Sequence, residues 1–143
     1  MTLTPLIAIH LSAALGALAL GPLALWARRG HATQHVGTQR PRLHRAAGYA
    51  WVTLMLVTAI TALFIRDFKL PNIAGYTPIH LLVPVTFGTL FFAFRALLRG
   101  HIRRHRIAMT TLYVSACLVA GAFTLLPNRY LGQLVWGEWM GWL

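Results

Sequence analysis

Four uninterrupted apolar runs, each about twenty residues or longer, decide most of what this chain can become. Met1 to Ala27 carries no charge at all. Ala46 to Ile65 is uncharged between Arg45 and Arg66, and Leu70 to Phe94 and Ile107 to Asn128 are uncharged as well. A helix needs about 20 apolar residues to cross the hydrocarbon of a bilayer. No water is available there, so such runs must close their own backbone hydrogen bonds as helices. Of the 143 residues 57% are apolar and only 10% are charged, whereas a soluble domain carries about 25% charged residues. The sequence therefore predicts an all-α membrane protein, with spans at about 4–27, 46–65, 77–95 and 106–127 in one domain over residues 1–128. Residues 129–143 form a separate tryptophan-rich tail.

The net charge of +11 invites a nucleic-acid reading. It fails because the charge is confined to short loops between apolar runs. Arg28, Arg29, Arg40, Arg42 and Arg45 lie between spans 1 and 2; Arg95, Arg99, Arg103, Arg104 and Arg106 lie around the turn between spans 3 and 4. Only Arg66, Lys69 and Arg129 fall on the other side. The positive-inside rule then puts both arginine loops in the cytoplasm of a bacterial inner membrane and both termini outside. The first run has no basic segment before it and ends at Arg28-Arg29, so it reads as a retained span rather than a cleaved signal. Cys117 is the single cysteine, so no disulfide forms within the chain. In the tail, Trp136, Trp139 and Trp142 recur every three residues and share one face of a short interfacial helix.

The chain also repeats itself. His10 to His31 and His80 to His101 are both separated by 21 residues, and each interval closes on an arginine–glycine–histidine run. Span 2 opens with His44-Arg45 and reaches Trp51-Val52; span 4 opens with His105-Arg106 and reaches Tyr113-Val114. A two-span hairpin returns to its starting side, so a tandem copy keeps the same orientation. The halves should be related by a pseudo-twofold axis along the membrane normal.

This repeat pairs four histidines by depth: His10 with His80 near the outer ends of spans 1 and 3, and His44 with His105 at the inner ends of spans 2 and 4. His10 to Arg28 is 18 residues, about 27 Å of helix, so the pairs lie near opposite faces. Two histidines at one depth on facing helices are what a haem iron with two axial imidazoles requires. Ala14, Ala17 and Gly21 follow His10 on its own face, and Gly48 follows His44 one turn on, leaving slots beside the rings. Pro84, Phe87 and Met109 make the second half less accommodating. The inner arginines, Arg45 and Arg106 foremost, suit the carboxylates of a porphyrin. The bland alternative is that these imidazoles only hydrogen-bond across helices or lie solvated among headgroups. A second metal reading uses the i, i+4 pairs His31/His35 and His101/His105 as ligands for Zn²⁺ or Cu²⁺, though no carboxylate or thiolate lies nearby.

Other chemistry is sparse. Asp67 and Glu138 are the only acids and both fall outside the spans, so a proton-coupled transporter has no carboxylate to use. No nucleophile–base pair or phosphate-cradling glycine loop is present. Gly16, Ala17, Gly21, Gly48 and Gly88 suit close helix approach, and Asn72, Gly75 and Tyr76 after Pro71 read as an outer turn.

With these residues in hand, the chain resembles a bacterial membrane-protein family catalogued as domain of unknown function 2306. The likeness rests on Gly21-Pro22, on Gly37-Thr38 leading to His44, Arg45 and Gly48, and on Gly100, His105, Arg106 and Met109. It covers about residues 5 to 128 and implies a four-helix inner-membrane protein without naming an activity. The plan of paired histidines across a small bundle is similar to di-haem transmembrane b-type cytochromes, a likeness of architecture alone.

Two functions follow as expectations. The first is a b-type cytochrome with one or two haems b on His10/His80 and His44/His105, passing electrons across the bilayer between a quinone or another redox partner and an outer acceptor. The second is a non-enzymatic accessory subunit of a larger membrane complex, its arginines meeting anionic lipid or other subunits. A transporter built on the repeat is disfavoured by the lack of intramembrane acids. The topology is testable by reporter fusion. A reporter active only outside the cytoplasm should be active when inserted at Gly75 and silent at Gly100; the reverse pattern would overturn the orientation.

Overall fold

In the computed structural model the described residues are 4–29, 42–66, 68, 73–127 and 130–141. Helix α1 runs Pro5–Arg29 and α2 runs Arg42–Phe64. A 3-10 turn at Pro78–Leu81 leads into α3, Leu82–Leu98. Helix α4, Ile102–Leu112, continues through a π-wound stretch, Tyr113–Val119, into α5, Ala120–Thr124. Four segments are long and apolar enough to cross a membrane: Pro5–Ala27, Arg42–Phe64, Pro78–Leu98 and Ile102–Thr124. Their exposed surface is apolar, with Ile9, Leu15, Ile60, Phe64, Phe91, Phe92, Leu118 and Phe123 all facing outward, as lipid rather than water requires.

The second and fourth spans start about a turn before the uncharged runs do. Arg42, Arg45, Arg103 and Arg104 therefore sit on helix, exposed. Their aliphatic stems extend the apolar surface while the guanidinium groups reach the headgroups. The α3–α4 turn is short and closes on Gly100 at φ +75°. The His101 N–H bonds the Ala96 carbonyl at 2.8 Å and the Gly100 N–H the Leu97 carbonyl at 3.1 Å. These are the two bonds of a Schellman cap, and only a residue tolerant of positive φ can make them. On the opposite side Ile73 and Tyr76 pair around a turn that includes Gly75 at φ +84°, the outer turn expected from sequence.

Small and sulfur-bearing residues build the core. Ala17, Trp51, Met55, Leu90, Leu112 and Cys117 form one buried cluster, and the Cys117 thiol donates to the Met55 sulfur at 3.6 Å.

Pro22 explains a contact across the bundle. Proline has no N–H, so in α1 the Leu18 carbonyl, four residues earlier, loses its helical donor. Inside hydrocarbon that oxygen needs another partner. The Tyr113 hydroxyl donates to it at 3.2 Å. Gly21 makes the approach feasible, because a Cβ there would overlap the Tyr113 ring. Gly21-Pro22 and Tyr113 thus form one unit: a freed acceptor, a gap for a ring, and a donor to fill it.

The tail begins as a short helical turn, Tyr130–Gly132, and continues as a second π-wound stretch, Gln133–Trp139. It folds back on the end of the fourth span. A Cβ at Gly132 would strike the Leu126 carbonyl, and the Trp136 indole N–H donates to the Leu125 carbonyl at 2.6 Å. Trp139 is 81% exposed. The tryptophans therefore divide their work, Trp136 anchoring the tail and Trp139 facing outward; Trp142 lies outside the described residues.

The Pro22–Tyr113 unit makes a double-mutant prediction. Tyr113→Phe should cost about 1 kcal/mol in the wild-type background by orphaning the Leu18 carbonyl. In Pro22→Ala the residue 22 N–H bonds that carbonyl, so adding Tyr113→Phe should cost almost nothing further. Reversible unfolding in detergent, followed by helical ellipticity, measures the coupling; equal costs in both backgrounds would refute the pairing.

Candidate functional site

At the arginine-rich end a half-open cleft of about 130 Å³ lies between the helices. All four spans contribute: α1 through Ala24, α2 through His44 and Gly48, α3 through Phe94, and the fourth through His105 and Tyr113. Arg45 and Arg106 also line it. The inner residues singled out from sequence, His44, His105, Arg45, Arg106 and Gly48, thus meet in one place.

The two inner histidines are held alike. The His44 Nδ1 lies 2.9 Å from the Ala24 carbonyl of α1, and the His105 Nδ1 lies 3.0 Å from the Ala93 carbonyl of α3. A carbonyl oxygen can only accept, so each Nδ1 carries the proton and donates. Each ring is thereby oriented by a main-chain oxygen of the neighbouring helix. Ala24 and Ala93 correspond within one residue under the 21-residue matching of the spans, so the two hairpins repeat this contact. The Phe94 ring meets the His105 ring edge-on, with centroids 6.5 Å apart, and restricts its rotation.

Two residues of the cleft lining stand out. A Cβ built on Gly48 meets nothing within 4 Å. This glycine therefore leaves open space in the cleft wall and does not mediate close helix approach. Trp51 is only 3% exposed, and its indole N–H has no hydrogen-bond partner. A buried donor left in this way carries a penalty of roughly 1–3 kcal/mol until an acceptor reaches it. Sequence reading treated Trp51 only as a repeat mark, matched to Tyr113. The signal that could have singled it out is that match: Tyr113 finds the Leu18 carbonyl, and Trp51 finds nothing.

The outer pair differs. The His10 Nδ1 donates to the Thr58 carbonyl at 3.1 Å and lies 3.0 Å from the Thr61 hydroxyl. His80 uses both nitrogens: its Nε2 donates to the Ile65 carbonyl at 2.9 Å, and its Nδ1 accepts the Thr77 N–H at 3.1 Å. Tyr76 packs edge-on to its ring at 5.2 Å. Both outer histidines reach toward the end of α2, whereas an exact repeat would send His80 to the fourth span. His80 clamps the 3-10 turn to α2 and offers no open nitrogen.

The slot beside His10 is also filled. Ala17 is fully buried in the core cluster and Gly21 holds the Tyr113 ring, so this small-residue stripe packs helices. Of the i, i+4 pairs, His31 and His35 lie outside the described residues and His101 sits exposed just before α4. No group of three or more His, Cys, Asp or Glu gathers as a metal site among the described residues.

No curated protein and no solved structure matches the chain. The model of one family, described as predicted membrane protein and designated DUF2306, matches residues 7–126. That stretch takes in the four spans, the Gly21-Pro22–Tyr113 unit and every residue of the cleft, and the chain is a member of the DUF2306 family of membrane proteins.

Proposed function

We propose that this protein is a b-type haem carrier of a bacterial inner membrane, with one haem held in the arginine-side cleft by His44 and His105. The observation that carries the reading is the matched pair of imidazoles, each with its Nδ1–H tied to a backbone carbonyl of a neighbouring helix. Each ring is thereby oriented by the fold, as a main-chain acceptor on the far nitrogen orients a metal-ligating imidazole. His44 and His105 would hold the haem iron, and the group would supply reversible one-electron chemistry.

The chemistry of the cleft lining supports this reading. Gly48 leaves room for the edge of a flat ring. Leu25, Val52, Leu97 and Met109 supply apolar walls. Arg45 and Arg106 stand where carboxylates could meet guanidinium groups in paired hydrogen bonds.

The cleft lies at the end that the positive-inside rule assigns to the cytoplasm. A carrier seated there exchanges electrons with a lipid-soluble quinone or a cytoplasmic redox partner. Passage across the whole bilayer would need a second haem at His10 and His80, for which His80 would have to release the Ile65 carbonyl. A single inner haem is therefore the form we put forward.

The test is the optical spectrum of protein purified from cells supplied with ample haem. A reducible Soret and alpha band is expected, and colourless protein would reject the proposal. His44→Ala and His105→Ala should each abolish the low-spin bis-imidazole spectrum, while His80→Ala should keep it. Loss of the spectrum in all three would point to general unfolding, which helical ellipticity distinguishes. Gly48→Leu fills open space without touching the bundle, so stability should hold. Overlap with the porphyrin should cost about 1–3 kcal/mol of binding, or about 5- to 150-fold in haem affinity.

A further inference from the structure

We infer that the outer face of α3 at the arginine-rich end holds one anionic phospholipid, its phosphate between Arg95 and Arg99 and an acyl chain along Phe91, Phe94 and Leu98. These five residues line a single open groove. Arg95 and Arg99 are four residues apart, so their side chains rise from one helix face a turn apart. Phe91 to Arg99 spans about 12 Å of helix, the depth from headgroup into the upper acyl region. Leu98 is 88% exposed and Phe91 62% exposed, an apolar floor that water would disfavour and a lipid chain would cover.

Charge identifies the occupant. The chain has two acidic residues, Asp67 and Glu138, and Glu138, the acid among the described residues, lies on the tail beyond the fourth span. Two acids cannot neutralise the arginines gathered at this end, and one another's charge is repulsive. The counter-charge must come from outside. At headgroup depth beside an apolar groove, its source is a lipid phosphodiester, which guanidinium groups bind through paired hydrogen bonds. Diffuse attraction of an anionic leaflet to all the inner arginines would not require this groove. Arg103 and Arg104, on the first turn of α4 and outside the groove, separate the two cases.

Phe94 belongs to both the groove and the cleft, and it rests on His105. A chain seated against it would steady that ring, but lipid retention does not depend on whether the cleft takes haem. The experiment is native mass spectrometry of the full chain, delipidated and then titrated with phosphatidylglycerol or phosphatidylcholine. Wild-type protein should retain one phosphatidylglycerol in clear preference to phosphatidylcholine. Arg95→Gln with Arg99→Gln should reduce that preference about tenfold, as expected for loss of a paired charge-assisted contact, and Arg103→Gln with Arg104→Gln should leave it. Leu98→Asp, which sets a carboxylate in the groove, should repel the lipid with both arginines intact and guards against misfolding of the double variant. Equal loss in the two arginine pairs would show diffuse charge only and overturn the site. Undiminished binding without Arg95 and Arg99, or displacement of the lipid by inorganic phosphate alone, would overturn it too.

Discussion

Backbone carbonyls that accept hydrogen bonds from side chains of other helices hold this bundle together. In hydrocarbon a polar side chain has no water to turn to. Four of those in the spans find a main-chain oxygen on another helix: Tyr113 at Leu18, His10 at Thr58, His44 at Ala24 and His105 at Ala93. These bonds replace much of what a large apolar core does in a soluble domain. They also set orientation, since a histidine that gives its Nδ1 proton to a carbonyl has its ring held by the main chain. The force that joins the helices thereby prepares the imidazoles of the cleft.

The spans were legible in the sequence because hydrocarbon imposes length and apolarity directly, and the arginine loops marked their ends. The inner site was legible for a related reason. His44, Arg45 and Gly48 are one helical turn of residues, and His105, Arg106 and Met109 are another, so helix geometry alone places each set on a common face. What escaped depended on backbone atoms or on distant partners. His80 was paired with His10 because both are histidines at similar depth; the acceptor it reaches is the carbonyl of Ile65, an atom that every residue carries. Gly21 read as a small residue near a histidine, and its reason is a tyrosine ring more than ninety positions along the chain. The open space beside Gly48 depends on the course of the neighbouring helices, which its spacing does not encode.

The internal repeat holds where the hairpins meet at the arginine-rich end and lapses at the other. Both inner histidines bond the helix that precedes them in their own hairpin. The outer ones both turn to α2, assisted by the 3-10 entry into α3 and by the Arg66 guanidinium, which lies 3.9 Å from the centre of the Tyr76 ring and donates to the Ala74 carbonyl at 2.6 Å. One end of the molecule is thus a cleft with oriented ligands, and the other is a stitched surface.

The π-wound stretch at Tyr113–Val119 is where this divergence enters. An α-helix advances its faces at a constant angle per residue, so two copies of a hairpin would stay superimposable along their length. Wider winding over seven residues delays that advance, and everything after Val119 emerges on a different azimuth from its counterpart in α2. Below the stretch the two hairpins share the histidine–carbonyl contact; above it they differ, and the outer end carries its own tail and turn. A doubled chain thereby gains a polarity along the membrane normal that duplication alone would not have supplied.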